Sequence, residues 1–174
     1  MKKLKGAILL AMIVAITGMS SCKKDGTSNP TGVAATVKAS NFGFDGTGAT
    51  TFTSTAAGMV KVGNLLTISA IKDGTTQSIS IVLSNVTAPG TFSLLQDNAD
   101  GNGAIISKDY TKPTDTALNY STDNASSTSV KGGGEVKITS LTSTTAEGTF
   151  YIVAHNAAGK DAFAEQGTFT GKLN

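Results

Sequence analysis

The sequence predicts an all-β domain, an antiparallel β-sandwich or flattened β-barrel of about ten strands. Three observations predict it. From Val33 onward the apolar residues recur with period two, and no stretch shows helical spacing. Gly, Ser and Thr are abundant, and clusters of turn-forming residues interrupt the alternation at short intervals. The chain has a single Cys, so packing and the hydrogen-bonded ladder must stabilise the fold without disulfides.

The expected strands are Ala34–Ala39, Thr50–Ser54, Met59–Val62, Leu65–Lys72, Gln77–Asn85, Thr91–Leu95, Ala104–Tyr110, Ala117–Thr122, Glu135–Leu141, Gly148–His155 and Ala162–Leu173. Alternation is clearest in the fifth, where Ile79, Ile81 and Leu83 face one way. Ser78, Ser80, Val82 and Ser84 face the other, which is expected to meet water. Turns are expected at Lys72-Asp73-Gly74, Ala88-Pro89-Gly90, Asn98 to Gly103, Gly132-Gly133-Gly134 and Asn156 to Gly159. Gly-Thr-Phe occurs at 90–92, 148–150 and 167–169. The expectation is a recurring strand entry. Gly supplies an unusual backbone angle, Thr faces solvent, and Phe enters the core beside Leu94, Ile152 and Leu173.

The N-terminal segment has a separate logic. Lys2, Lys3 and Lys5 precede an apolar run from Ala7 to Ile16, which is too short to span a bilayer of roughly 30 Å as a helix. Small residues follow, ending at Met19-Ser20-Ser21-Cys22, which resembles a lipobox. Residues 1–21 are therefore expected to be a lipoprotein signal peptide, and Cys22 the lipidated N-terminus of the mature chain. Residues 22–32 then form a polar, flexible tether, and 33–174 a single all-β domain. Acyl chains on Cys22 anchor the chain firmly, each buried CH₂ contributing about 0.8 kcal/mol.

Cleavage changes the charge. The chain has 14 basic and 12 acidic residues; removing three lysines leaves eleven basic against twelve acidic. The mature protein has no basic face of the kind that nucleic acid selects.

With these features in place, the chain resembles a family of bacterial cell-envelope lipoproteins of unknown function. The shared features are Ser21-Cys22-Lys23-Lys24, the strand pair Leu65–Lys72 and Gln77–Asn85, and Gly90-Thr91-Phe92. Tyr120-Ser121-Thr122, the strand from Gly134 to Thr139, Gly148-Thr149-Phe150 and Gly167-Thr168-Phe169 complete the set. The resemblance implies a Gram-negative envelope location, lipid-anchored at the outer membrane and facing the periplasm or the cell surface. It also implies an all-β domain, and it brings no catalytic residues.

Candidate chemistry is sparse. Asn98, Asp100, Asn102 and Asp109 follow the spacing of an EF-hand-like calcium loop with Gly103 and Ile105 between, and calcium is the one cofactor the sequence suggests. The competing expectation is a plain Asn/Asp/Gly hairpin loop. His155 is the only His, falls at a strand end, and is expected at the surface. No Gly-x-Ser-x-Gly elbow accompanies it. Glu135, Glu147 and Glu165 read as solvated edge charges. Tyr110 and Tyr120 bracket a loop and could face outward as a glycan platform, or serve as ordinary strand residues. Asp115-Thr116-Ala117 resembles a short O-glycosylation site. The expected function is a membrane-anchored, non-enzymatic β domain that binds a glycan or protein ligand or has a structural role. The alternatives are a hydrolase acting on glycans or peptides and a calcium-stabilised adhesion module.

Overall fold

β-branched residues on alternate positions favour a pleated, half-buried surface, and the computed structural model shows ten strands and no helix among its described residues, 35–46 and 49–174. The segments expected to be a signal peptide (1–21) and a tether (22–32), Cys22 included, lie outside the described residues. The strands are β1 (Ala35–Phe44), β2 (Thr50–Val62), β3 (Leu65–Ile71), β4 (Ser78–Leu83) and β5 (Gly90–Ser93). They continue as β6 (Gly103–Ser107), β7 (Asn119–Ser121), β8 (Gly133–Leu141), β9 (Thr145–His155) and β10 (Asp161–Lys172).

Eight strands close into an antiparallel barrel in the order β10-β1-β2-β3-β4-β6-β7-β9, with β9 returning to β10. The remaining two, β8 and β5, continue the sheet from β9. Closure resolves the choice between sandwich and barrel, and it is uneven. β10 pairs with β9 from Asp161↔His155 to Lys172↔Thr145, whereas β7 meets β9 at the single pair Ser121↔His155. The strand pairing gives the barrel two ends. The chain enters at Ala35, and the proximal end also carries the β2–β3 hairpin, the β4–β5 connection and the β8–β9 turn. The distal end carries the β1–β2, β3–β4, β6–β7 and β9–β10 connections.

The interior is filled by side chains. Phe42, Phe52, Met59, Leu66, Ile68, Ile79, Ile81, Ile106 and Tyr120 are all buried in one cluster. Each such side chain contributes about 1.5–3 kcal/mol relative to exposure. Phe42 stacks against Phe44 and Phe52 at centroid distances of 5.2 and 5.0 Å, and Phe44 against Tyr120 at 5.3 Å.

Several sequence expectations change. Thr50–Ser54 and Met59–Val62 are halves of one 13-residue strand, which pairs with β1 up to Ala57 and with β3 from Gly58. The outward side of β4 is not wet: Ser78, Ser80 and Val82 are 3%, 2% and 1% exposed. Ser78 and Ser80 stand opposite the longer Ile71 and Ile105 on the neighbouring strands, so serine alternation does not by itself identify a solvated face. The triple glycine is not a turn, since Gly133 and Gly134 open β8. Gly134 has φ +146°, and a Cβ there would collide with the Tyr151 carbonyl oxygen on β9.

The Gly-Thr-Phe repeats have a different meaning as well. Their Thr residues are exposed, Phe150 and Phe169 are in the core, and Phe92 packs against it. Yet none of the three glycines has a positive φ. The second and third copies are cross-strand partners: Gly148 opposes Phe169, Thr149 opposes Thr168, and Phe150 opposes Gly167. A Cβ on Gly148 would lie 2.5 Å from Phe169 Cζ, and one on Gly167 would lie 2.5 Å from Phe150 Cζ. Each glycine is the space its partner's ring occupies.

Candidate functional site

His155 closes β9, and two features next to it account for its setting. Asn156 Oδ1 accepts the Ala158 and Lys160 amides at 3.0 Å each, which shapes a tight connection to β10 and brings Asp161 back opposite His155. The segment 122–132 then folds across the outside of the strand. Asn124 Nδ2 donates to the His155 carbonyl at 2.8 Å, and the Ser127 amide donates to Gly159 O at 3.2 Å. Gly159 permits both its own φ of +71° and this approach, because a Cβ would collide with the Ser127 backbone. Ser126 Oγ accepts the Thr128 and Val130 amides at 3.2 and 2.9 Å, which stiffens the crossing segment.

The expectation of a surface His155 is therefore corrected: it is 2% exposed, because a non-local segment covers it. Its Nδ1 lies 2.9 Å from Asp161 Oδ1. A carboxylate can only accept, so Nδ1 carries the hydrogen; in the neutral form of such a ring the other nitrogen, Nε2, is an acceptor. That Nε2 is buried with no hydrogen-bond partner among the described residues. Beside it runs a groove of about 390 Å³ lined by Asn41, Thr128, Val130, Phe163 and Glu165 together with His155 and Asp161. Asn41 Nδ2 donates to the Glu165 carboxylate across the β1–β10 pair, so Glu165 is part of the groove wall and not a free edge charge. The arrangement brings the oriented imidazole, two carboxylates, an amide, the Ser126 and Thr128 hydroxyls and a phenyl ring to one cleft.

A second polar cluster shares the distal rim. Tyr120 Oη donates to Asp45 Oδ1 at 2.9 Å, and the Lys108 ammonium donates to Asp45 Oδ2. The ammonium also lies 5.3 Å from the Phe44 ring centroid and 5.5 Å from that of Tyr120. Burial disfavours the charged form of Asp45, but the Lys108 and Tyr120 hydrogen bonds and the charges of Lys108 and Lys160 outweigh it. The carboxyl is held below its ordinary value of 3.8. The hydrogen bond to Asp45 raises Lys108 above 10.5, and burial raises Tyr120 above 10.0. The Asp45 amide donates to the Asp161 carbonyl at 2.7 Å, so this cluster and the His155 pair brace each other through one backbone bond.

The residues of the calcium expectation do not converge. Asn102 is 2% exposed, and its side chain accepts the Ser84 amide at 2.7 Å while donating to Ser93 O at 3.2 Å. Asn98 holds the loop by donating to Asn102 O, and Asp100 accepts from Asn85 Nδ2 at 3.0 Å. Asp109 lies past the other end of β6, where it accepts the Thr111 amide and hydroxyl at 3.1 and 2.7 Å. Those bonds, the hydroxyl first, hold its carboxyl below 3.8. Among the described residues no group of three or more His, Cys, Asp or Glu could hold a metal ion. Tyr110 and Tyr120 do not form a platform, because Tyr120 is in the core and Tyr110 is half-buried on the β6–β7 connection. Thr116 is exposed. The Asp45–Lys108–Tyr120 cluster is absent from the sequence reading, because its members come from three segments that only the closed barrel brings together.

Residues 44–171 match the profile of a domain family described as a domain of unknown function, DUF6252. The chain belongs to this family. No curated protein and no solved structure matches it. The matched span begins at the last residue of β1 and ends within β10, so the DUF6252 domain contains His155, Asp161, Asp45, Lys108 and Tyr120, whereas Cys22 precedes it.

Proposed function

We propose that this DUF6252 protein is a lipid-anchored protein of the bacterial envelope, held at the outer membrane through Cys22. On this reading its barrel is a non-enzymatic binding module, and the His155 groove takes the ligand. The observation that carries the binding reading is the buried Nε2 of His155, which has no hydrogen-bond partner among the described residues and belongs to a side chain that lines the cleft. Leaving such an atom without a hydrogen bond costs about 1–3 kcal/mol, which a donor supplied by a ligand would recover. The groove's two hydroxyls, carboxylates, amide and single phenyl ring suit a hydroxyl-rich ligand such as an envelope glycan.

Two measurements test the parts separately. The mature mass should carry diacylglycerol and acyl chains, and Cys22→Ser should move the protein from the membrane to the soluble fraction. Purified lipoprotein should retain envelope glycans on an array, and His155→Phe, which keeps a buried ring but removes both nitrogens, should lose that retention while remaining folded. Equal retention by the variant would remove the groove from the reading.

The hydrolase alternative has one observation of its own: Asp161, His155 and the Ser126 and Thr128 hydroxyls line one groove. It predicts turnover of glycan or peptide substrates with loss on His155→Phe, and binding without turnover would dispose of it.

A further inference from the structure

The proximal end of the barrel presents a different surface. Among the described residues, six large apolar side chains are exposed, and three of them, Val60, Val62 and Leu65, belong to the β2–β3 hairpin. Val62 is the most exposed of the six, at 70%. Val62 and Leu65 oppose each other across the Gly63-Asn64 turn, and Val60 lies two residues before Val62 on the same side. A bare apolar tip is a poor end for a hairpin that only meets water, where polar residues serve equally well.

Register fixes which way this tip points. Ala35 opposes Ala57, and β2 continues for five more residues to Val62. At about 3.4 Å per residue, the tip stands roughly 17 Å beyond Ala35, on the side from which the chain arrives. The stretch from Cys22 to Ala35 can span at most about 45 Å when fully extended. The tether therefore holds this end within reach of whatever surface Cys22 is anchored in. The His155 groove lies along the distal halves of β1, β9 and β10.

Charge agrees with the geometry. Lys61 stands between Val60 and Val62, and its ammonium turns to the tip, donating to the Gly63 carbonyl. The adjacent recess of about 600 Å³ is lined by Lys61, Ala88, Pro89, Leu141 and Leu173 among others, and by no Asp or Glu side chain. A lysine at the water boundary beside apolar side chains suits the headgroup region of a membrane whose lipids include anionic ones.

We propose that the β2–β3 hairpin docks on the bilayer, inserting Val62 and Leu65 at the headgroup–acyl boundary and orienting the barrel with its distal groove away from the membrane. The proposal rests on the lipid anchor at Cys22 proposed above. Docking can be weak and still prevail, because a short tether sets an effective concentration of about millimolar or more.

The chain contains no Trp, so a single introduced indole reports from one place. Val62→Trp is compared with Thr75→Trp, an exposed position in the distal β3–β4 turn, each in the mature lipidated protein. Both are reconstituted into phosphatidylethanolamine–phosphatidylglycerol vesicles with or without brominated acyl chains. Circular dichroism first establishes that both are folded. The indole of Val62→Trp should emit at shorter wavelength in vesicles than in detergent-free buffer lacking lipid, and the brominated chains should quench it. The indole of Thr75→Trp should show neither effect. Vesicle flotation reads the anchor independently. A protein that floats with the vesicles while Val62→Trp is quenched no more than Thr75→Trp overturns docking alone. A protein that fails to float overturns the anchor, and the docking with it.

Discussion

Placing a methyl group on Gly167 tests how the two paired Gly-Thr-Phe segments hold the barrel. The added Cβ would sit 2.5 Å from both Cε2 and Cζ of Phe150, far inside van der Waals contact. Phe150 is 4% exposed, so its ring has little room to retreat from a close-packed interior. Overpacking of this kind costs about 1–3 kcal/mol. Alanine also loses less backbone entropy than glycine on folding, which returns about 0.5–1 kcal/mol. Gly167→Ala should thus destabilise by about 1–2 kcal/mol, a drop of a few degrees in Tm for a domain of this size.

The reasoning is sharper in a double-mutant cycle. Phe150→Ala alone should cost about 3–5 kcal/mol through the cavity it leaves. In that background the methyl added at position 167 enters vacated space, so Gly167→Ala should become neutral or stabilising, a coupling of about 1–2 kcal/mol. Urea unfolding followed by far-ultraviolet circular dichroism supplies the four stabilities, provided the denaturant slope is unchanged. Gly148 is the control. Its Cβ would meet the Lys137 backbone carbonyl as well as the Phe169 ring, so Phe169→Ala should leave Gly148→Ala still destabilising. If Gly167→Ala costs the same with and without the Phe150 ring, the space-for-ring account is refuted.

Two further outcomes follow from the rim and the loop. Asp45→Asn should lower stability at neutral pH by about 1–2 kcal/mol, because it breaks a charged hydrogen bond whose partners are only 24% and 31% exposed. The wild-type carboxyl is lowered in the folded state, so its contribution is present above pH 3.8 and fades as pH falls through the folded value. Lys108 and Tyr120 are raised, so theirs is present at neutral pH and fades as pH rises past their unfolded values and through the folded ones. The variant's stability-against-pH curve should therefore be flatter than wild type at both extremes, and parallel curves would contradict the assignment. Millimolar calcium should leave the melting temperature unchanged, since Asp109 is separated from Asn98, Asp100 and Asn102 by the length of β6. A calcium-dependent rise of several degrees would show that the loop rearranges around an ion.

What could be read in the sequence divides along a physical line. Strand positions were legible because period-two patterning is local, and nine of the eleven expected segments have a strand at their core, while the other two merge into β2. Closure into a barrel was not legible, since it depends on β1 meeting β10 from the far side of the domain. The glycines of the repeats were visible, but the reason for the second and third lies in partners across the β9–β10 pair. A local reading assigned them a backbone angle they do not have. His155 was correctly placed at a strand end beside a turn. Its burial depends on Asn124 to Val130, which no local pattern connects to it.

The seam between β7 and β9 ties the fold to the candidate site. Elsewhere in the barrel, neighbouring strands share ladders that satisfy one another's backbone groups, and side chains need only pack. At the seam β8 takes the edge of β9 from Val153 to Ala146, β7 keeps the single pair Ser121↔His155, and other bonds hold that end. Asn124 donates to the His155 carbonyl and Ser127 to Gly159, and outside the crossing segment Asn156 Nδ2 donates to Ala117 O at 3.0 Å. Such substitutes satisfy the backbone and leave the imidazole Nε2 unmatched. The short β7–β9 contact, with segment 122–132 crossing it, is therefore the feature of this fold that sets His155 against the groove.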